Sequence, residues 1–194
     1  AVSVRSFRSE KIALLIQLLL ENETDKVNDT YNSLKSNYPI CITRDLYKAK
    51  SWLKEKAKGS ERIGIVASSG GRRLRANGID VKNGIEPENW FLNGKDDVRS
   101  SYYLEEIATE FDIQGLEIDY TCVAWDINLY IKNNEWNYQN FKGSKWQKIN
   151  QDSAKKYLLN SYRVLLTRAR QGMIIYIPEI NEADVTRPKE YYDM

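Results

Sequence analysis

Histidine is absent from all 194 residues. That excludes Ser-His-Asp and Cys-His catalysis, His-ligated zinc and a histidine pH switch. Cysteine is almost as scarce: Cys41 and Cys122 are the only two, too few for an all-cysteine structural zinc site. Both sit in apolar, strand-like runs, so they are expected to be buried, reduced thiols of a cytoplasmic protein. Long apolar runs are missing as well. Ile12–Leu20 falls far short of the roughly 20 residues that span a bilayer. Arg5, Arg8 and Lys11 precede it as in a signal peptide, yet Glu21-Asn22-Glu23 follows where a small-residue cleavage site belongs. Ile12, Leu15, Ile16 and Leu19 fall on one helical face, which predicts an amphipathic core helix and no membrane partner. Neither sign of charge dominates: 29 Lys and Arg against 27 Asp and Glu leave a net charge of +2. Any basic interface must therefore be local.

What remains is an ordinary globular composition, 42% hydrophobic and 29% charged. Its length fits one domain over residues 1–194, with a surface insertion at about 128–150. The chain opens on Ala1 rather than Met, so a fragment of a longer polypeptide is expected. Val2–Phe7 reads as a short edge strand and Ser9–Glu21 as a helix capped by Ser9. Asn22–Thr30 reads as a polar loop or helix end, Tyr38–Thr43 as a strand, and Asp45–Lys58 as a helix stopped by Gly59. Arg62–Ala67 is a buried strand followed by the turn Ser68–Gly71. Residues 73–101 have little periodicity. Tyr120–Trp125 is the clearest central strand, 128–149 an aromatic surface hairpin, Ser153–Gln171 a helix and Met173–Ile177 a final strand. Strands alternating with helices predict an α/β fold with a mainly parallel sheet.

Three segments have the residue types of a phosphate or nucleic-acid site. The first is Tyr162-Arg163-Val164-Leu165-Leu166-Thr167-Arg168-Ala169-Arg170. Arginine's planar fork stays charged and pairs with phosphate oxygens. Treated as a helix, the segment puts Leu158, Tyr162, Leu165, Leu166 and Ala169 on an apolar stripe. Arg163, Thr167 and Arg170 then lie on the far side and Arg168 on the opposite flank, which implies separate jobs for Arg168 and Arg170. The second segment, Thr109–Asp119, holds Gln114-Gly115-Leu116-Glu117 ahead of the central strand. A glycine there permits close backbone approach to a ligand, and Glu117 has the chemistry to accept from a ribose hydroxyl. The third, Ser68-Ser69-Gly70-Gly71-Arg72-Arg73-Leu74-Arg75, follows a strand, and carboxyl ends of strands are the usual ligand edge. Each also has a plain reading, as a solvated helix face, an acidic loop and a basic loop.

The first segment resembles motif VI of superfamily 1 helicases, V-x-x-T-R-A-R. The second resembles motif V, with Phe111 and Ile113 where many members carry His and Ser. In this order, the segments make the chain look like the C-terminal half of the Schlafen group 3-like DNA/RNA helicase family, a bacterial P-loop NTPase family. The resemblance runs from Val4-Arg5-Ser6-Phe7-Arg8 to Thr186-Arg187-Pro188. It implies a RecA-like second lobe in which Arg168 is the arginine finger and Arg170 braces the motif at the catalytic site. Glu117 would meet the ribose. Gln114 and Gly115, with Thr109, would couple nucleotide to nucleic acid, and Ser68, Ser69, Arg72 and Arg73 would contact the strand backbone.

The chain has no G-x-x-x-x-G-K-[ST] loop and no strand ending in a Walker B acidic pair. ATP and Mg²⁺ are therefore expected in the full-length protein, with no cofactor held by this half alone. The expected partners are an N-terminal RecA-like half of the same polypeptide and DNA or RNA, single-stranded. The competing reading is an NTP-dependent switch or nucleic-acid-binding module without unwinding activity. A nuclease has only Asp96, Asp97 and Asp112 to offer.

Overall fold

The computed structural model describes residues 4–189, the side chains of 4–7 excepted. Two helices, α1 (Val4–Leu20) and α2 (Thr24–Leu34), lead into strand β1 (Ile40–Thr43) and helix α3 (Leu46–Lys56). Strand β2 (Ile63–Ala67) is followed by a 3₁₀ turn (Arg72–Asn77), the short helix α4 (Pro87–Leu92), a second 3₁₀ turn (Ser101–Tyr103) and strand β3 (Ile107–Ala108). Strand β4 (Ile118–Ala124) precedes a meander of β5 (Leu129–Lys132), β6 (Glu135–Lys142) and β7 (Lys145–Lys148). Helix α5 (Asp152–Leu166) and strand β8 (Ala169–Tyr176) complete the fold.

Strands β1, β8, β4, β2 and β3 pair in that order, every neighbour parallel. A parallel sheet must be covered on both faces, and strand periodicity sorts its side chains between them. Val66, Ile118, Val123, Met173 and Ile175 join the core beneath α1, α2 and α5. Ile63, Ile65, Cys122, Ala124, Ile174 and Tyr176 join the core beneath α3 and the first 3₁₀ turn. The architecture is the α/β, RecA-like sandwich expected from the sequence.

Local readings differ from the structure at several places, among them the expected Ser9 cap, which lies inside α1, and the expected hairpin, which has three strands. Val2 and Ser3 lie outside the described residues, and Val4–Phe7 is the first turn of α1 rather than an edge strand; the sheet edges belong to β1 and β3. The polar stretch read as a loop at Asn22–Thr30 contains most of α2. Val27, Tyr31 and Leu34 recur at helical spacing and pack against the α1 core, a sparse stripe that the polar composition hides. Asn22 makes the break between the two helices, with φ +61°, a conformation that asparagine tolerates. Cys122 is fully buried, its thiol pushed up to about 12 by burial, but Cys41 is only half-buried. A further difference, the end of α5, shapes the site described below.

The aromatic insertion forms a three-stranded antiparallel sheet of its own, in the order β5-β6-β7. Its aromatics serve packing: Trp136 stacks on Trp125 with ring centres 6.0 Å apart, Phe141 meets Trp146 edge-on at 5.0 Å, and Leu129 and Tyr130 are buried. The Trp146 indole donates to the Thr186 carbonyl at 2.9 Å. This ties the meander to the C-terminal segment, which also receives Arg73 at Thr186 Oγ1 (2.6 Å) and at Asp184.

Gly172 lies where β8 passes the start of β1, and a Cβ there would come within 2.9 Å of the Pro39 carbonyl. That carbonyl also accepts from the Met173 amide, so neither strand can give way without losing pairing. Gly172→Ala is expected to destabilise by about 1–3 kcal/mol, the usual cost of overpacking, read as a lower denaturation midpoint in urea. A second expectation concerns pH. Asp126, at the carboxyl end of β4, is 2% exposed. Burial raises its carboxyl to about 7, against the lowering effect of the Arg73 and Ile127 amides. The folded state thus holds this proton more tightly than the unfolded chain, and stability falls as pH rises from near 4 to about 7. Without histidine, little else titrates there; Glu106, also raised by burial, adds in the same direction. Thermal melts across this range should show the fall, and Asp126→Asn should flatten it.

Candidate nucleotide and nucleic-acid interfaces

Helix α5 ends at Leu166, five residues before the expected boundary. Thr167 and Arg168 terminate it themselves. The Thr167 hydroxyl donates to the Arg163 carbonyl at 2.9 Å and lies 3.1 Å from that of Val164. Arg168 Nε donates to the Val164 carbonyl at 3.2 Å. These are the carbonyls that a helix leaves without intrahelical partners at its C-terminus, and a guanidinium there also interacts favourably with the negative end of the helix dipole. Arg168 Nη1 reaches on to the Leu116 carbonyl at 3.4 Å, and the Arg168 carbonyl accepts from the Ile118 amide at 3.1 Å. Arg168 therefore sits in the connection between α5 and β8, and Arg170 sits on β8. The helical-wheel placement of both is corrected: a strand and a cap, not two flanks of one helix, separate their roles.

The pairing of β4 with β8 is irregular at this point. Ile118 stands opposite Ala169 and Tyr120 opposite Gly172, so Arg170 and Gln171 together face Asp119 alone. Such a bulge re-aims side chains. Arg170 Nη2 and Gln171 Nε2 both donate to Asp119 Oδ1, each at 2.9 Å. Asp119 Oδ2 accepts the Arg62 amide of the neighbouring strand entry at 2.8 Å, and Gln171 Nε2 also meets Glu61 Oε1 at 2.8 Å. The Arg170 side chain keeps 38% of its surface exposed while Asp119 keeps 11%. Ionic contact at a half-open edge directs the guanidinium outward without burying it.

Glu117, exposed, precedes this strand. With Asp119, Arg170 and the α1 residues Arg8, Ser9, Ile12 and Ala13 it lines a cavity of about 640 Å³. Gln114 and Gly115 are exposed on the turn before it. Gly115 has φ +81° with nothing near its missing Cβ, so glycine is needed there for backbone conformation rather than for close packing. Thr109 lies at the start of the same segment, 8% exposed. Its amide and hydroxyl both donate to Asp112 Oδ2 at 2.7 Å.

The remaining candidates lie on the opposite edge, at the carboxyl ends of β2 and β3. The seven residues of β4, at roughly 3.3 Å each, hold the two edges about 20 Å apart. Ser68 is buried, its hydroxyl 3.2 Å from that of Ser161 on α5. Ser69 gives its amide and hydroxyl to the buried Glu110 carboxylate at 2.8 and 2.7 Å. Arg72 is exposed, whereas Arg73 is committed to Asp184 and Thr186. Ser69, Gly70 and Arg72 line a cavity of about 280 Å³ with Tyr157 and Lys142. Asp119, Gln171 and Glu110 organise these two edges without standing out in the sequence. Glu117-Ile118-Asp119 carried a signal for the first of these, since alternate strand residues share a face.

The acidic residues weighed for metal binding are dispersed. Asp97 pairs with Arg99 and Asn93 and Asp112 with Thr109. Among the described residues no group of three or more carboxylates and cysteines is placed to hold a metal ion, and no helix is long and apolar enough to cross a membrane.

A family model described as Schlafen group 3, DNA/RNA helicase domain, matches residues 1–179. That span takes in every strand of the parallel sheet and both edge clusters. No curated protein and no solved structure gives a match. With the two signature segments meeting across β4 and β8, and the family model covering the chain through the end of the sheet, this protein belongs to the Schlafen group 3 DNA/RNA helicase domain family.

Proposed function

We propose that this chain is the C-terminal lobe of an ATP-dependent, helicase-like or translocase-like NTPase, and that it lends an arginine finger to a composite ATP site. The observation that carries this reading is the convergence of Arg168, Arg170 and Glu117 at the amino edge of β4 and β8. Glu117 and Arg170 line one open cavity there, and Arg168 is tied to the same edge through the Leu116 carbonyl, next to Glu117 in sequence. An α/β sheet ordinarily binds its own ligand at the carboxyl edge. Cations gathered at the other edge favour a nucleotide presented by a second body, the N-terminal RecA-like half of the same polypeptide.

The residues fit one side of ATP. Arg168 is the γ-phosphate contact, with Arg170 held beside it by Asp119, and Glu117 is the acceptor for a ribose hydroxyl. Nothing in the chain resembles a phosphate-cradling glycine loop with its lysine, so Mg²⁺ and the β-phosphate fall to the other half. When bound, ATP supplies the terminal phosphoryl group, whose developing charge an arginine stabilises. The segment 109–117 leaves the carboxyl edge at Thr109 and reaches the amino edge at Glu117. It is the direct covalent link between the nucleotide edge and a nucleic-acid track along Ser68, Ser69 and Arg72. Closure of the two halves on ATP would pull on this link.

In the full-length polypeptide, Arg168→Ala is expected to lower kcat for ATP by about 10³-fold or more, with a much smaller loss of ATP affinity. Residues 1–194 alone are expected to give no turnover. A steady-state phosphate-release assay reads both, and turnover that survives Arg168→Ala unchanged would reject the arginine-finger role.

A further inference from the structure

Two aromatic rings at the carboxyl edge are left open, although the Tyr157 hydroxyl is hydrogen-bonded to Ser69 and Glu110. Phe111 is 61% exposed and Tyr157 50% exposed, yet they stand together, with ring centres 6.3 Å apart and planes tilted by 32°. Phe111 comes from the turn after β3 and Tyr157 from α5, so the pair is a product of the tertiary fold. Among the described residues, Trp90, Tyr162, Trp125 and Trp136 are packed into the core or the meander, while Tyr47 and Tyr103 are exposed. An exposed ring pair is costly in water unless something covers it.

The surroundings specify what covers it. Tyr157 also lines the cavity of about 280 Å³ that holds Ser69, Gly70, Arg72 and Lys142. Arg72 and Lys142 are exposed, and neither belongs to any ion pair among the described residues. Asp80 and Asp184, which line neighbouring cavities with Arg72, are paired with Arg75 and Arg73, and Glu110, 7% exposed, accepts the Ser69 amide and hydroxyl. The surface thus joins a two-ring platform to two cations that belong to no ion pair among the described residues, with Glu110 tucked beneath. Aromatic faces beside backbone-tracking cations are how proteins hold single-stranded nucleic acid.

We infer that Phe111 and Tyr157 form a base-stacking platform for single-stranded nucleic acid, with the adjoining phosphates over Arg72, Lys142 and the Ser69–Gly70 turn. The inference rests on the proposal that a nucleic-acid track follows this edge and assigns to it the residues that grip a base. Arg73, adjacent in sequence, is excluded from the grip because the C-terminal segment holds it.

The test uses the full-length polypeptide without nucleotide and a fluorescein-labelled oligothymidylate of about 20 nucleotides, the length of a few binding footprints, read by anisotropy at several salt concentrations. Phe111→Ala is expected to weaken binding by about 5- to 100-fold, the loss of one stacked base. Phe111→Trp should retain the affinity and show indole fluorescence quenched by the strand. Arg72→Ala should weaken binding and reduce the salt slope by about one. Wild-type protein that does not bind the strand would overturn both the track and the platform. Binding unaffected by Phe111→Ala would overturn the platform alone. If Phe111→Ala instead lowers the melting temperature of the full-length protein with affinity intact, the rings pack against the other half and the inference fails. None of these readouts depends on Arg168 or on turnover.

Discussion

One carboxylate joins three strands at the amino edge of the sheet. Asp119 accepts from the Arg62 backbone at the entry to β2 and from the Arg170 and Gln171 side chains on β8, while its own strand, β4, lies between them. A regular ladder would send Arg170 and Gln171 to opposite faces. The bulge brings both to one carboxylate oxygen, on the edge where Glu117 is exposed. If this contact were absent, Arg170 would be a mobile surface arginine and the start of β8 would have no reason to depart from register.

The helix that delivers Arg168 is terminated by the residues of the signature itself. Thr167 and Arg168 satisfy carbonyls at the end of α5, so the side chain proposed to reach a phosphate also determines where the helix stops. This dual use has a physical consequence: Arg168 is held at its Nε and Nη1 by main-chain oxygens, which fixes the guanidinium plane ahead of any ligand. Preorganised cations stabilise developing charge better than mobile ones because little reorganisation remains.

The opposite edge has a different character. Its serines and threonine are engaged with Glu110, Asp112 and Ser161, and Arg73 is engaged with Asp184. What stays open is Arg72, Lys142 and a pair of rings. Polar residues chosen from the sequence as direct contacts therefore include several that shape the loops, and the open surface comes from residues on α5, the meander and the turn after β3. The two edges communicate through the segment 109–117, whose Thr109–Asp112 turn and left-handed Gly115 hold its path without a helix.

The parallel α/β layering was legible in the sequence because each strand is a short apolar run between helical stripes, and burial on both faces demands just that composition. The positions of β2, β4 and α3 followed from it; the structure adds that Asp45 caps α3, its carboxylate accepting from the Tyr47 and Lys48 amides. Helix α2 did not follow, because its apolar stripe is three residues among polar ones and acquires meaning only against α1. The signature segments and their order were likewise a property of the chain alone. Tertiary structure decided which of their residues meet. A helical wheel cannot anticipate that α5 stops at its own cap, and strand alternation cannot anticipate a bulge at Asp119. No local pattern places Phe111 beside Tyr157, since their 46-residue separation closes only when α5 packs across the sheet. Local sequence dictated the elements and the chemistry available to them; long-range packing dictated which groups share an edge, because contacts between distant residues depend on the whole fold and not on any window of the chain.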